Sequence, residues 1–376
     1  MDRAYVPDAS PYATLIALAR SGTRAALATV VAADGSTPQV PGASAVFTAG
    51  GLAGGTVGGG VGEARVEDLA RRAVAAGVSR LKTLDLGYDP SAESEAICGG
   101  RLRVLVDARP ERHASVFIRM MDDIRRRRPG ALVTWIGRAR PTREARGGLA
   151  QKGRAGGTSS RELRGADIRR FWLPAGGRRI FPAGLPLSAF EDVLRASSRA
   201  SSPGFFEGVG GALYVEPHAP LPRLIIAGAG HVGRAAAHLG RLLNFEVIII
   251  DDRAEFANAA RFPEAARIVV ADAARALRRL PLGPDSYVVI VTRGHRGDED
   301  ALRACIRRKA AYLGMIGSAR KVGLLRERFL EKRWCSAADW ARVRTPIGLP
   351  IGSKTVEEIA VSIAAELVAA RSSLRA

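Results

Sequence analysis

A chain of 376 residues is long enough for two domains, each able to bury its own core without disulfides. Its three cysteines, Cys98, Cys305 and Cys335, are widely spaced and form no CxxC pair, which argues against a structural zinc site and fits a reducing, cytoplasmic setting. The formal charge is +20, yet the 57 basic residues, only six of them lysine, are scattered through every segment with no aromatic-interleaved stripe, so the pattern speaks against a nucleic-acid binder and for arginine-rich solvated faces, with attraction of an anionic ligand or acidic protein left open.

No basic stretch followed by an apolar core opens the chain, and no eighteen apolar residues run together, so neither export nor a membrane span is expected. Residues 12–21 read as an amphipathic helix, 25–31 as a strand and 44–48 as a second strand. After a glycine cluster at 54–60, residues 61–76 have helical periodicity, with Val66, Leu69, Ala70 and Ala73 on one face. Strands at 81–84 and 102–106 bracket a Cys98-Gly99-Gly100 loop, and a helix at 112–127 and a strand at 132–136 complete a mixed α/β domain over 1–137.

Residues 138–216 are rich in Arg, Gly, Ser and Pro and read as a variable segment whose apolar stretches, 168–173 and 205–215, return to complete the first domain's sheet. Residues 217–222, Pro-His-Ala-Pro-Leu-Pro, are the expected linker, because proline cannot supply a regular ladder. From 223 to 376, strands at 224–227, 246–250, 267–271, 287–292 and 312–315 alternate with helices. That alternation predicts a parallel sheet with helices on both faces, and continuous apolar runs such as 247–250 suit strands covered on both sides.

The first strand of this second domain runs into Gly228-Ala229-Gly230-His231-Val232-Gly233, and Asp251 ends the next strand. This is the context of a Rossmann-type nucleotide site: Gly228 permits the tight turn, Gly230 lets backbone N–H groups approach a phosphate, and Gly233 lets the helix pack on the sheet. Asp251 is expected to accept ribose hydroxyls, which favours an unphosphorylated ribose, although the neighbouring Asp252-Arg253 leaves a 2′-phosphate open. His231 starts the helix beside the phosphate path and could donate to it, move a proton or simply cap the helix. His295 and Asp298 follow the fourth strand, where ligands of such folds bind, and Ser318, in Gly317-Ser318-Ala319-Arg320-Lys321, could open a further anion site or a plain helix cap.

In the first domain, Gly54, Gly55, Gly58, Gly59 and Gly60 are too dense for an efficient strand or helix and suggest close backbone approach to a ligand. With Ser36-Thr37-Pro38 before them and Glu63 after, they make a polar loop pair able to grip a phosphate or heterocycle. Cys98 is the one cysteine outside an amphipathic helix pattern, so a reactive thiolate and an inert thiol are both open.

Taken together, these stretches resemble the xanthine dehydrogenase accessory family, the XdhC/CoxI proteins. The resemblance is carried by Gly35 to Pro38 with Pro41-Gly42, by Gly55 to Gly60 with Glu63, by Cys98-Gly99-Gly100, by Gly228 to Gly233, by Asp251-Asp252-Arg253, by Phe262-Pro263 and by residues 312–318. Its most specific part is Pro346-Ile347-Gly348-Leu349-Pro350-Ile351-Gly352 with Glu357-Glu358-Ile359-Ala360. It implies an N-terminal XdhC/CoxI-type domain followed by the Rossmann-type domain, and a role as an accessory chaperone rather than a turnover enzyme. Such a protein binds molybdenum cofactor, as molybdopterin or its cytosine dinucleotide form, protects it while a cysteine desulfurase installs the sulfido ligand, and delivers it to a molybdenum hydroxylase of the xanthine dehydrogenase type.

By that resemblance Gly58, Gly59, Gly60, Glu63 and Cys98 belong to a first-domain pocket, with Cys98 a candidate molybdenum contact and no protein-only metal cage, while Gly228, Gly230, His231, Gly233, Asp251 and Ser318 hold a nucleotide or the pterin phosphate. Relatives read Thr-His-x-His-x-x-Asp after the fourth strand, where this chain has Arg293 for the first histidine, leaving His295 and Asp298, together with Cys98, as catalytic candidates. A homodimer is the default expectation. The alternative is an NAD(P)-dependent oxidoreductase, against which stands the lack of a Tyr-x-x-x-Lys or paired-histidine motif beside the cofactor loop.

Overall fold

The computed structural model describes residues 10–86, 100–137, 163–176, 202–208 and 211–373. The chain divides into two compact units, Met1–Pro220 and Leu221–Ala376.

In the first unit, β1 (Ala25–Asp34) lies at the centre of a six-stranded sheet with β2 (Ser44–Thr48), β3 (Gly51–Gly55), β4 (Arg80–Asp85), β5 (Arg101–Asp107) and β7 (Leu163–Arg164), in the order β3-β2-β1-β5-β4-β7. Strand alternation sends Ala26, Ala28 and Val30 to one face, where they meet Val66, Leu69, Ala70 and Ala73 of α2 (Gly60–Ala76). Ala25 and Leu27 point the other way, onto α1 (Pro11–Arg20) and α3 (Ala114–Arg125) through Tyr12, Leu15, Phe117 and Met120.

The apolar stretches at 168–173 and 205–215 do not complete this sheet. They lie in β8 (Asp167–Pro174), β9 (Gly204–Gly208) and β10 (Gly211–His218), which join β6 (Gly130–Gly137) in a second sheet of order β8-β6-β10-β9. The reason is visible in β6, buried almost throughout: Val133 and Trp135 need Phe171, Leu213 and Val215 around them, while Ile136 faces Val31, Leu81 and Leu105 of the first sheet. Pro217 and His218, expected in the linker, close β10 opposite Ala131 and Gly130. Proline is tolerated there because β9 ends opposite Val215, so β10 is paired on one side only beyond it.

The second unit is a parallel sheet of β11 (Arg223–Ala227), β12 (Glu246–Asp251), β13 (Arg267–Val270), β14 (Ser286–Ile290), β15 (Tyr312–Met315) and β16 (Val343–Arg344), in the order β13-β12-β11-β14-β15-β16. Leu224, Ile226, Val247 and Ile249 face α4 (His231–Leu242) and α9 (Val356–Ser373). Ile225, Ile248, Ile250 and Val288 face α5 (Ala273–Arg279), α6 (His295–Cys305) and α7 (Ala319–Glu331); α8 (Ala337–Ala341) contributes Trp340 to the same core. The winding reverses between β11 and β14, which opens a crevice at the carboxyl ends of those strands.

Two details differ from the sequence pattern. The crossover from β12 to β13 is built of turns rather than a helix, pinned by Asn258, whose amide donates to the carbonyls of Ala254 and Glu255 and accepts from Arg261 N. Cys335 lies in the bend before α8, not in a helix. Among the described residues, no helix is long and apolar enough to cross a membrane.

Candidate functional site

The glycine loop expected to take a phosphate joins β11 to α4, and its three glycines are there for different reasons. A Cβ on Gly228, whose φ is +123°, would stand 2.2 Å from the Val291 carbonyl oxygen, and one on Gly233 would stand 1.9 Å from that of Gly228. Both are demanded by the packing of the fold. Gly230 is the N-cap of α4, with φ −69° and ψ −168°, a conformation open to any residue, and a Cβ there would meet nothing within 4 Å. Among the described residues nothing asks for glycine at 230. The open space lies at a helix N-terminus, where unpaired N–H groups and the helix dipole favour an anion.

Asp251 ends β12 beside this loop but is not poised to receive a ribose. Its Oδ2 accepts from Ala229 N at 2.8 Å and Arg253 Nη2 at 3.0 Å; its Oδ1 accepts from Arg253 N at 3.1 Å and Nε at 2.9 Å. Burial pushes its pKa up, but the Arg253 guanidinium and the two backbone amides outweigh it and hold the carboxyl down at about 2. The Arg253 guanidinium in turn lies 3.7 Å from the Phe256 ring centroid, with Arg261 at 5.0 Å from the same ring. Arg261 and Phe256 were not among the expected site residues, because the turns that carry them have no periodicity to read.

The other candidates at this sheet edge separate into exposed and buried groups. His231 and His295 are the exposed first residues of α4 and α6, which follow the adjacent strands β11 and β14. Asp298, a catalytic candidate, is 1% exposed and committed: it accepts from Thr292 N at 3.0 Å, Thr292 Oγ1 at 2.7 Å and Lys321 Nζ at 2.6 Å. It is therefore a structural anchor rather than a free proton acceptor. The same bond removes Lys321 from the anion site expected at 317–321, and Ser318 caps α7 by accepting from Lys321 N at 3.3 Å. Arg293 is exposed.

The motif at 346–352 is explained by its own packing. A cis peptide joins Thr345 to Pro346; Ile347 N donates to Met315 O, and Gly348 N donates to Glu366 Oε2, which also accepts from Tyr312 Oη. A Cβ on Gly348 would stand 2.3 Å from Ser362 Oγ, which donates to Leu349 O. Glu358 accepts from the amides of Lys354 and Thr355, while Thr355 Oγ1 accepts from Glu358 N, a reciprocal cap for α9.

In the first unit, the loops singled out by composition do come together. A Cβ on Gly58 would stand 3.0 Å from Pro38 Cγ, and one on Gly100 would stand 2.5 Å from Ser36 O and 2.6 Å from Thr37 Cγ2. Gly58, Gly59 and Gly60 all have positive φ, at 132°, 73° and 57°, so their backbone conformation itself selects glycine. Glu63 accepts from Thr56 Oγ1 at 2.7 Å and Val57 N at 2.9 Å. The Thr56 hydroxyl, with the amides of Val57, Gly59 and Gly58, holds its pKa below the ordinary value against a small burial effect, so Glu63 is the loop's own internal anion. Cys98 and Gly99 lie outside the described residues; Leu86 and Gly100, which flank that segment, are joined by a 2.9 Å bond from Leu86 N to Gly100 O. Cys305 is buried, which pushes its thiol up to about 12, and Cys335 is also buried. Among the described residues, no three His, Cys, Asp or Glu side chains lie together as a metal site.

Residues 224–367 match the family model of the XdhC Rossmann domain, and residues 18–86 match that of the XdhC and CoxI family. The chain belongs to the XdhC and CoxI family. It is 36% identical over 162 residues to the uncharacterized protein YqeB of Escherichia coli, covering 42% of this chain and 29% of the relative. It is 27% identical over 186 residues to a Bacillus subtilis protein described as a probable xanthine dehydrogenase component, covering 50% of this chain and 53% of the relative. The matches thus span about half or less of these curated relatives. A crystal structure described as a xanthine dehydrogenase of Bacillus halodurans superposes with a TM-score of 0.73 at 22% identity, covering 97% of this chain and 96% of that one, and so shares its fold.

Proposed function

We propose that this XdhC/CoxI protein is an accessory chaperone of a xanthine dehydrogenase-type molybdenum hydroxylase, binding the anionic molybdenum cofactor rather than turning over a substrate. The observation that carries the reading is Gly230: a glycine that neither packing nor backbone conformation requires, at a helix N-terminus suited to a phosphate. The family membership and the Bacillus subtilis relative's description support the choice of client.

The residues fit the phosphate end of such a ligand. The amides at the start of α4 would bind the phosphate, His231 would offer a ring N–H beside it, and Arg253 and Arg261 would add positive charge. The cofactor supplies a pterin dithiolene that carries molybdenum. Cys98, in the sequence of the first unit, would be the thiol for sulfur handling with a cysteine desulfurase. We assign the protein to the cytoplasm and to a homodimer on the same reading.

Transfer tests it. The purified chain, loaded with molybdopterin, is mixed with a cofactor-free hydroxylase, and pterin is measured on each protein after separation. The reading expects pterin to move to the hydroxylase, with Cys98→Ala lowering either retention or the sulfurated fraction. It is overturned if the chain retains no pterin, or if the hydroxylase loads equally well without it.

A further inference from the structure

The ribose end of the Rossmann site is built differently from one that selects an unphosphorylated ribose. There, the acid ending the second strand uses its free lone pairs to accept two ribose hydroxyls. An ionised carboxylate has about four acceptor directions. At Asp251 four donors take them: Ala229 N, Arg253 N, Arg253 Nε and Arg253 Nη2. With the residue 6% exposed, a ribose hydroxyl could reach Asp251 only by displacing Arg253.

What the site presents instead is a pair of guanidinium groups. Asp251 holds one edge of the Arg253 guanidinium, through Nε and Nη2, and Phe256 covers its face. Arg261 reaches the same ring, touches the phosphate loop through Nη2 to Ala229 O at 3.4 Å, and keeps a buried Nε with no hydrogen-bond partner. A buried donor left unpaired is costly. Arg261 also lines, with Arg234 and His238 of α4, a cleft closed by Phe262 and Pro263. The acids nearby are Asp251, paired with Arg253, Asp252, 3.9 Å from Arg253 Nε, and Glu264, which bonds His238 at 3.2 Å; Arg261 makes no ion pair with any of them.

We propose that the Gly228 loop takes a nucleotide phosphorylated at its ribose 2′ position, of the NADP(H) class, with Arg253 and Arg261 gripping the 2′-phosphate. Arg253 is thus a specificity residue, held in place by the acid that would otherwise select the dephospho form. The inference rests on the Gly228 loop being a live phosphate site, which a nucleotide and the cofactor phosphate of the proposed function would contest in turn, and not on molybdenum cofactor being its ligand.

Calorimetric titration of the full chain with NADP+ and with NAD+ tests it. A charge-assisted pair on the 2′-phosphate predicts NADP+ binding at least about tenfold tighter than NAD+. Arg261→Ala should weaken NADP+ while leaving NAD+ unchanged. Arg253→Ala should weaken NADP+ and strengthen NAD+, because it frees the Asp251 lone pairs; that crossing is not expected of mere structural damage. Gly230→Asp should abolish both. NAD+ binding as tightly as NADP+, a preference that survives both arginine substitutions, or no binding of either nucleotide would each overturn the proposal. Pterin retention by the same preparations reports on the chaperone reading separately.

Discussion

Lys321 Nζ lies 2.6 Å from Asp298 Oδ2, joining the first turn of α7 to the first turn of α6 beneath the carboxyl edge of β14 and β15. Both side chains are nearly excluded from water, so each depends on the other. Lys321→Met leaves a buried carboxylate and should cost about 3–5 kcal/mol in denaturant unfolding of the second unit. The double substitution with Asp298→Asn should recover part of that loss. A cost under about 1 kcal/mol for the single change would show that the pair is solvated, as exposed pairs are.

The three loop glycines should separate in a melting experiment. Gly228→Ala and Gly233→Ala force Cβ atoms against backbone carbonyls and should destabilise by about 1–3 kcal/mol or more. Gly230→Asp places a favourable N-cap in open space and should melt at or above the wild-type temperature. Equal losses at all three positions would mean that Gly230 too is structural.

Much of this was legible in the sequence, for identifiable reasons. Continuous apolar strands such as Glu246–Asp251 and the stripe at Val66, Leu69, Ala70 and Ala73 follow from burial alone, and both occur as expected. The second sheet of the first unit was not legible, because its strands are distant in sequence and only packing around Trp135 and Leu213 brings them together. The strand, glycine turn and helix around 228–233 were legible from their glycines. The commitment of Asp251 was not: sequence places an acid at the end of a strand but cannot show that an arginine two residues later folds back to saturate it. Asp298 misled for a similar reason, its partner Lys321 lying one strand and one helix away.

Glu63 should behave as a loop anchor. Glu63→Ala removes the acceptor of Thr56 Oγ1 and Val57 N and should destabilise the first unit by about 1–3 kcal/mol, with faster amide exchange at Val57. Because Thr56 and the loop amides lower its folded pKa, its contribution is present above the ordinary carboxylate range and is lost as pH falls below it. Exchange at Val57 that does not respond to the substitution would contradict this.

His113 gives the first unit a second pH dependence. Burial, then the Arg170 guanidinium, push its pKa down to about 4, against the pull of Asp107. The unfolded chain takes up this proton near pH 6.5 and the folded one only near 4, so stability should fall as pH drops through that window. His113→Asn should flatten the unfolding free energy between those limits. An unchanged slope would show that His113 is not the group responsible.

The central claim is that the open space at Gly230 receives the phosphate of a molybdenum cofactor. Its most direct test is the pterin content of the wild-type chain and of Gly230→Asp, both purified from cells that make molybdopterin and both shown to be folded. The account predicts pterin eluting with the wild-type chain and lost from Gly230→Asp, whose added carboxylate repels the phosphate. Equal pterin on both proteins, or none on the wild type, would contradict it.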